Sequence, residues 1–306
     1  MEREQILVDK FVRLFRGRGD AYGSWDGGCI RQPLNKNTFE SHLKDGPYIG
    51  VYPLVPFNNG WGCVWGCTDI DVDDLDAARN LQTAFTIKNI TSWVEKTRKG
   101  YHVWVFTPEL VSASTMRRAF LAAHQAINYP AKEVNPKQES AGSGYGNYVR
   151  LPYYGQMWSI GENRYMLDEN NNPMSFETFI DLASTSMATE EQLQGIASLW
   201  KQPEPPKFVS NPQEVVEVKS IMRDLGNAIP YVIWRDGPLE TQDRSTALVR
   251  LSHQLCKSGV EPDKAFAVLK SADERWGKFH LRHDGDKELM RIVERTYNIV
   301  FVDLHG

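Results

Sequence analysis

The sequence predicts an α+β domain followed by a small all-α domain, and three observations carry that expectation. Short β-branched and aromatic runs alternate with helical stripes as far as residue 200, a proline-rich tract then breaks the pattern, and apolar spacing beyond it is helical. The tract "KQPEPPKFVSNPQ", residues 201–213, sets the boundaries at 1–203 and 214–306, with 204–213 as linker.

Each element has its own signal. Ile6, Leu7, Phe11, Leu14 and Phe15 form one helical stripe, after which "GPYIGVYPL" and "GCVWGCTDID" read as strands. Asp73 or Asp74 caps a helix with Leu75, Ala78, Leu81 and Phe85 inside. "TSWVEK" and "YHVWVF" are strands joined by the turn "TRKG". A helix from Ser114 presents Met116, Phe120, Ala123 and Ile127, and "NYVRLPYYG" is a strand stopped by Pro152. Beyond the linker, four stripes follow: Val216, Val218, Met222 and Leu225; Leu248, Leu251 and Leu255, ending at Gly259; Phe266 and Leu269 after Pro262; and Leu289, Ile292, Val293 and Tyr297.

Composition narrows the function classes. With 306 residues, 41% of them hydrophobic, the chain can bury a sizeable core. No apolar run approaches the roughly 20 residues of a membrane span, and the charged start is unlike a signal peptide, so the expected location is the cytoplasm, with no membrane partner. Four cysteines in such a chain make no disulfide framework. A net charge of −4 excludes nucleic-acid binding by bulk charge, leaving local basic patches to do it.

The chemistry concentrates in "GCTDIDVDD", residues 66–74. If the strand continues through it, Asp69 and Asp71 share a face about 6–7 Å apart and repel unless a cation lies between them. Paired carboxylates suit Mg²⁺ or Mn²⁺, which leave coordination positions for phosphates. Asp73, Asp74 and Asp76 read as first-turn acids of the following helix. An EF-hand fails, because its sixth position is Asp74 and its twelfth Asn80. Zinc is not expected: Cys63 and Cys67 on one strand stand about 13 Å apart, and no C-x-x-C pair is present.

The series "TDID", "TRKGYHVWVF", "KEVNPKQ" and "GNYVRLPYYG" resembles the ordered motifs of the archaeo-eukaryotic primase superfamily, in the primase-polymerase form common on phages and plasmids. The resemblance covers about residues 45–155 and implies an RRM-like mixed or antiparallel sheet with flanking helices. It assigns Asp69, Asp71 and Glu133 as catalytic acids holding two metals, His102 to the nucleotide's phosphates, and Lys137 to the triphosphate with Asn147 and Arg150 beside it. Arg98 and Lys99 are further cations in motif order, and Gly100 stands where the family has serine, so a hydroxyl contact does not carry over. Gly100 would instead let backbone approach a phosphate. His102, in phase with Trp104 and Phe106, also has the placement of a satisfied core histidine.

The implied activity is priming on single-stranded DNA from NTPs or dNTPs, with extension; the alternatives are a primer-extending repair polymerase and a non-catalytic single-stranded-DNA-binding factor. No G-x-x-x-x-G-K-[ST] motif occurs, so a helicase would be a separate partner. The last helices resemble the helical domain that follows the catalytic domain in phage primases. There Arg275, Trp276, Lys278, Arg282 and Arg291 combine cations with an aromatic that could stack on template bases, although acids are interspersed and Trp276 also fits a core position.

Overall fold

The structure is a computed structural model that describes residues 2–202, 218–226, 228–238 and 243–305. It divides into two compact units, Met1–Lys201 and Gln202–Gly306. The expected linker at 204–213, and Val216 of the first C-terminal stripe, lie outside the described residues.

The first unit runs α1 (Glu2–Phe15), β1 (Tyr22–Ser24), β2 (Cys29–Ile30), α2 (Lys36–Leu43), β3 (Ile49–Val51), β4 (Val55–Phe57), β5 (Gly60–Ile70), α3 (Leu75–Thr86), β6 (Trp93–Lys96), β7 (Tyr101–Ser112), α4 (Ala113–Ala126), β8 (Glu133–Asn135), β9 (Val149–Arg150), β10 (Tyr165–Met166), α5 (Phe176–Ala183) and α6 (Glu190–Ala197). The strands make two sheets. The larger has the order β10-β6-β7-β5-β4, with β8 also on β5, and the smaller β2-β1-β3-β9; every pairing is antiparallel.

Period-two alternation in the long strands divides the larger sheet's surroundings into two cores. Trp65, Cys67, Trp104 and Phe106 pack with Leu7, Phe11 and Phe15 of α1 and Phe176 and Phe179 of α5. On the opposite side, Val103 and Val105 meet Leu81 and Phe85 of α3, Met116 and Phe120 of α4, and Leu193 of α6. Truncating one of the buried Trp or Phe side chains to Ala would cost about 3–5 kcal/mol. Ile6, placed on the inner stripe by its spacing, is exposed, and Val8 is buried in its stead. A register shift between Cys63 and Trp65 puts Cys63 in one core and Cys67 in the other. Burial pushes their thiols up to about 12 and about 11.

Turn chemistry matches the sequence signals. Asp74 caps α3, accepting from Ala77 N at 2.9 Å, while Asp73 pairs with Lys96 at 2.6 Å. Thr189 and Gln192 form a reciprocal capping box on α6.

The second unit is helical among its described residues: α7 (Val218–Asp224), α8 (Ile229–Asp236), α9 (Arg244–Lys257), α10 (Pro262–Trp276) and α11 (Gly285–His305). Met222, Leu248, Leu251, Leu255, Leu269 and Val293 share its core. Trp276 belongs to this core as well, buried seven residues after Leu269 on α10, and Phe279 is buried with it. That corrects the expectation of a base-stacking Trp276. The neighbouring cations have partners of their own: Lys278 pairs with Asp243, Arg282 with Asp284 and Arg291 with Glu288, while Arg275 lies over the Trp234 ring. Short-range acids therefore offset the basic surface anticipated there.

Candidate active site

The alternation that builds the core changes chemistry toward one end of the larger sheet. Trp65 and Cys67 are succeeded in phase by Asp69 on β5, Phe106 and Trp104 by His102 on β7, and Trp93 by Glu95 on β6. The same face that is apolar in the middle of the sheet thus becomes ionisable where it emerges from under the helices. Register aligns these groups: Asp69 is directly across from His102 on one side and Glu133 on the other, and Glu95 is across from His102. Direct cross-strand neighbours have Cβ atoms about 4.5–5.5 Å apart, so the four side chains form one row.

Hydrogen bonding fixes the row. His102 Nε2 stands 3.3 Å from Asp69 Oδ2, and its Nδ1 3.0 Å from Glu95 Oε2. Glu95 is fully buried; Trp104 Nε1 donates to it at 2.7 Å, and Arg164 forms an ion pair with it at 2.9 Å. Arg164 in turn donates to the Arg150 carbonyl, tying the larger sheet to the smaller. A buried carboxylate is tolerated only with such partners.

The histidine takes its state from this setting. Burial disfavours its charge, but the surrounding anions outweigh burial, and its pKa lies well above the ordinary 6.5. Cys67 is among the neighbours, yet with its thiol near 11 it is uncharged at neutral pH, so Glu95 and Asp69 are the anions that hold the imidazolium. For Asp69, burial works against ionisation; His102 first, then Arg164 and Lys137, reverse it and keep the carboxyl below its usual range.

Asp69, His102 and Glu133 of this row form the floor of an open cleft of about 830 Å³ between the two sheets, with Glu95 buried beneath it. Asp69, Asp71, Arg98, Lys99, His102, Glu133, Lys137, Asn147 and Arg150 all line it, so residues scattered over some eighty positions meet in one place. Asp71 arrives differently from its expected placement. Strand β5 ends at Ile70, and Asp71 sits exposed in the turn beyond it, not on the same strand face as Asp69. Arg98 and Lys99 project from the exposed β6–β7 turn. Asn147 reaches Gln138 at 3.4 Å, and Arg150 donates to the Trp25 carbonyl at 2.6 Å.

Gly100 is the correction within this set. It is buried, and a Cβ there would come within 1.9 Å of the Ile70 carbonyl oxygen and 2.5 Å of that of Val72. Its bare Cα serves the packing of the turn against the end of β5, and it is not among the residues that line the cleft.

Carboxylates grouped with cations suit a hard divalent ion and the phosphates it would carry. Among the described residues, however, no three His, Cys, Asp or Glu side chains close on a common point as a metal cage. Glu133 instead bonds Lys137 at 2.6 Å. By donor chemistry the site fits such an ion, with Asp69, Asp71 and Glu133 as the oxygens to hold it. The β8 segment carrying Glu133 is itself anchored, because buried Arg117 donates to the carbonyls of Val134 and Pro136 at 3.0 Å each and Thr68 Oγ1 to that of Glu133 at 3.1 Å.

Sequence reasoning missed Glu95, Arg164, Trp25, Tyr48 and Tyr154, all at or beneath the cleft. Glu95 had a signal: a lone acid in an apolar strand, in phase with Trp93, paired by a four-residue turn to the strand of His102. Arg164 had none, since its partner lies far off in the chain.

Comparison with known proteins gives the family. Residues 30–196 match the family described as "TOTE conflict system, Archaeo-Eukaryotic Primase domain", which is more than half of the chain. The chain therefore belongs to the archaeo-eukaryotic primases, a family of primase-type nucleotidyltransferases. A solved structure titled "Crystal structure of primase RepB'" is similar over 99% of this chain and 98% of its own, at 10% identity and a TM-score of 0.31. No curated relative matches. No helix among the described residues is long and apolar enough to cross a membrane.

Proposed function

We propose that this chain is a DNA primase-polymerase that synthesises primers on single-stranded DNA from NTPs or dNTPs and extends them. The observation that carries the reading is the cross-strand alignment of Glu133, Asp69 and His102 on the floor of a cleft rimmed by Arg98, Lys99, Lys137 and Arg150. In such a reaction the primer 3′ hydroxyl attacks the α-phosphorus of the incoming nucleotide, and pyrophosphate leaves.

Mg²⁺ or Mn²⁺, when bound by Asp69, Asp71 and Glu133, would lower the charge on the phosphates and favour the alkoxide form of the attacking hydroxyl. The protein's own groups do the remainder. Asp69 is kept ionised by His102 and so stays available as an oxygen ligand. His102, charged and fixed on both ring nitrogens, puts positive potential on the floor without needing to reorganise. Lys137 is held at the cleft by Glu133 and would supply a counter-charge for a triphosphate there. A helicase acting at a fork would be a separate protein, and the phage or plasmid setting belongs to this proposal.

The test is incorporation of labelled nucleotide on unprimed single-stranded DNA with Mg²⁺ or Mn²⁺. Wild type should make product and the Asp69→Ala/Asp71→Ala variant at least about 10³-fold less. Product only when a primer is supplied would identify a primer-extending polymerase instead. Nucleotide-independent strand binding with no synthesis would identify a replication factor.

A further inference from the structure

Acids and cations suited to metal and phosphates dominate the floor and rim of the cleft, but they do not offer a nucleobase an apolar face. One exposed apolar side chain on the lining does. Trp25 is 68% exposed and, of the large apolar side chains exposed among the described residues, it is the one that borders the cleft. An indole left facing water forgoes the burial that usually stabilises it, so its placement needs a cause.

The tip that carries it is held firmly. Trp25 lies in the β1–β2 turn, where Ser24 N donates to Gly28 O at 2.9 Å and Gly28 N to Asp26 Oδ1 at 3.3 Å. The hydroxyl of Tyr148, the residue before β9, donates to Ser24 O at 3.0 Å, and Arg150 of β9 donates to the Trp25 carbonyl. The Tyr148 ring lies flat against the paired strands β1 and β3, on Gly23 and Gly50, where a Cβ would come within 2.4 and 2.3 Å of the ring. Two glycines paired across the strands thus make the seat for the tyrosine that braces the turn. A solvent-facing aromatic carried on a braced turn at the edge of the cleft offers a stacking surface, and stacking accepts all four bases because each has a π-face.

We propose that Trp25 stacks on the base of the nucleoside triphosphate whose phosphates engage Arg98, Lys99 and Lys137. This rests on the nucleotide-binding reading given above. Because Arg150 bonds the Trp25 carbonyl while also lining the cleft, the base-facing and phosphate-facing groups share one support.

Calorimetric titration of the full chain with each of four dNTPs, and separately with inorganic tripolyphosphate, tests it in Mg²⁺ without DNA. Trp25→Ala should weaken all four nucleotides roughly 5- to 100-fold and leave tripolyphosphate unchanged, while Trp25→Phe retains most of the affinity. Unchanged nucleotide affinity in Trp25→Ala overturns the proposal, as does an equal loss for tripolyphosphate, which would mark a collapsed turn. Weakened binding of a single-stranded oligonucleotide with nucleotide affinity intact overturns it in favour of the template. Wild type that binds neither nucleotide nor tripolyphosphate overturns the underlying nucleotide reading and the stacking role with it.

Discussion

The floor and the rim of the cleft are built on opposite terms. On the floor, Asp69, His102, Glu95 and Arg164 are interlocked, and the last three are buried, each holding the next in a fixed state. On the rim, Arg98, Lys99, Asn147 and Arg150 are exposed; among the described residues Asn147 and Arg150 each make one side-chain hydrogen bond, and Arg98 and Lys99 make none. The contrast teaches where structure and binding are coupled. A floor group cannot be removed without stranding a buried charge, whereas Arg98 or Lys99 can be removed without stranding one, and Arg150 takes with it only its bond to the Trp25 carbonyl.

Glu95→Ala should break the floor most severely. It leaves Arg164 buried without its ion-pair partner and His102 with Asp69 alone, and denaturant unfolding should register a loss of about 3–5 kcal/mol. A loss under about 1 kcal/mol would show that the floor is no more interlocked than the rim.

Acid sharpens the same contrast between charged and neutral buried histidines. His42 donates from Nε2 to the Pro152 carbonyl and accepts from Ile49 N; His124 bonds Thr68 and the Tyr129 carbonyl; burial pushes both down to about 4. Below about 6.5 the unfolded chain takes up two protons that the folded chain refuses until about pH 4. Stability should therefore fall as pH drops through that window, by about 3 kcal/mol per histidine at most. His102, raised, acts in the other direction: its contribution is complete below about 6.5 and fades as pH rises through its folded value. Thermal melts from pH 4 to pH 8 check this, and the His42→Gln and His124→Gln variants should each flatten the acid limb.

The smallest effect belongs to the rim. Arg98→Ala or Lys99→Ala should raise the nucleotide KM roughly tenfold while leaving the melting temperature unchanged. A shift in melting temperature comparable to that of Glu95→Ala would erase the distinction between the two regions.

Much of this was legible in the sequence because it depends on local periodicity. The long strands β5 and β7, the α3 cap at Asp74, the turn carrying Arg98 and Lys99, and the helices after residue 218 are each announced within a dozen residues. Of the smaller sheet, β3 and β9 were legible as strands in "GPYIGVYPL" and "NYVRLPYYG", whereas the β1–β2 hairpin, with strands of three and two residues and no period to read, was not. With it went Trp25 and the meaning of Arg150. The ion pair of Glu95 with Arg164 was hidden for a different reason, joining segments that only the tertiary fold brings together. Asp71 shows a third limit: alternation places a residue on a face only while the strand lasts. Trp276, among cations yet in phase with Leu269, shows that spacing outweighed neighbourhood.

Gly100 has a consequence for tolerance. With the carbonyls of Ile70 and Val72 where its Cβ would be, the turn bearing Arg98 and Lys99 is clamped by main chain alone to the segment bearing Asp69 and Asp71. The gap between the anionic and the cationic halves of the site is therefore gauged by backbone thickness, a length that no rotamer can alter. A single added methyl group at that point would widen the gauge, although no charged group of the site had been changed.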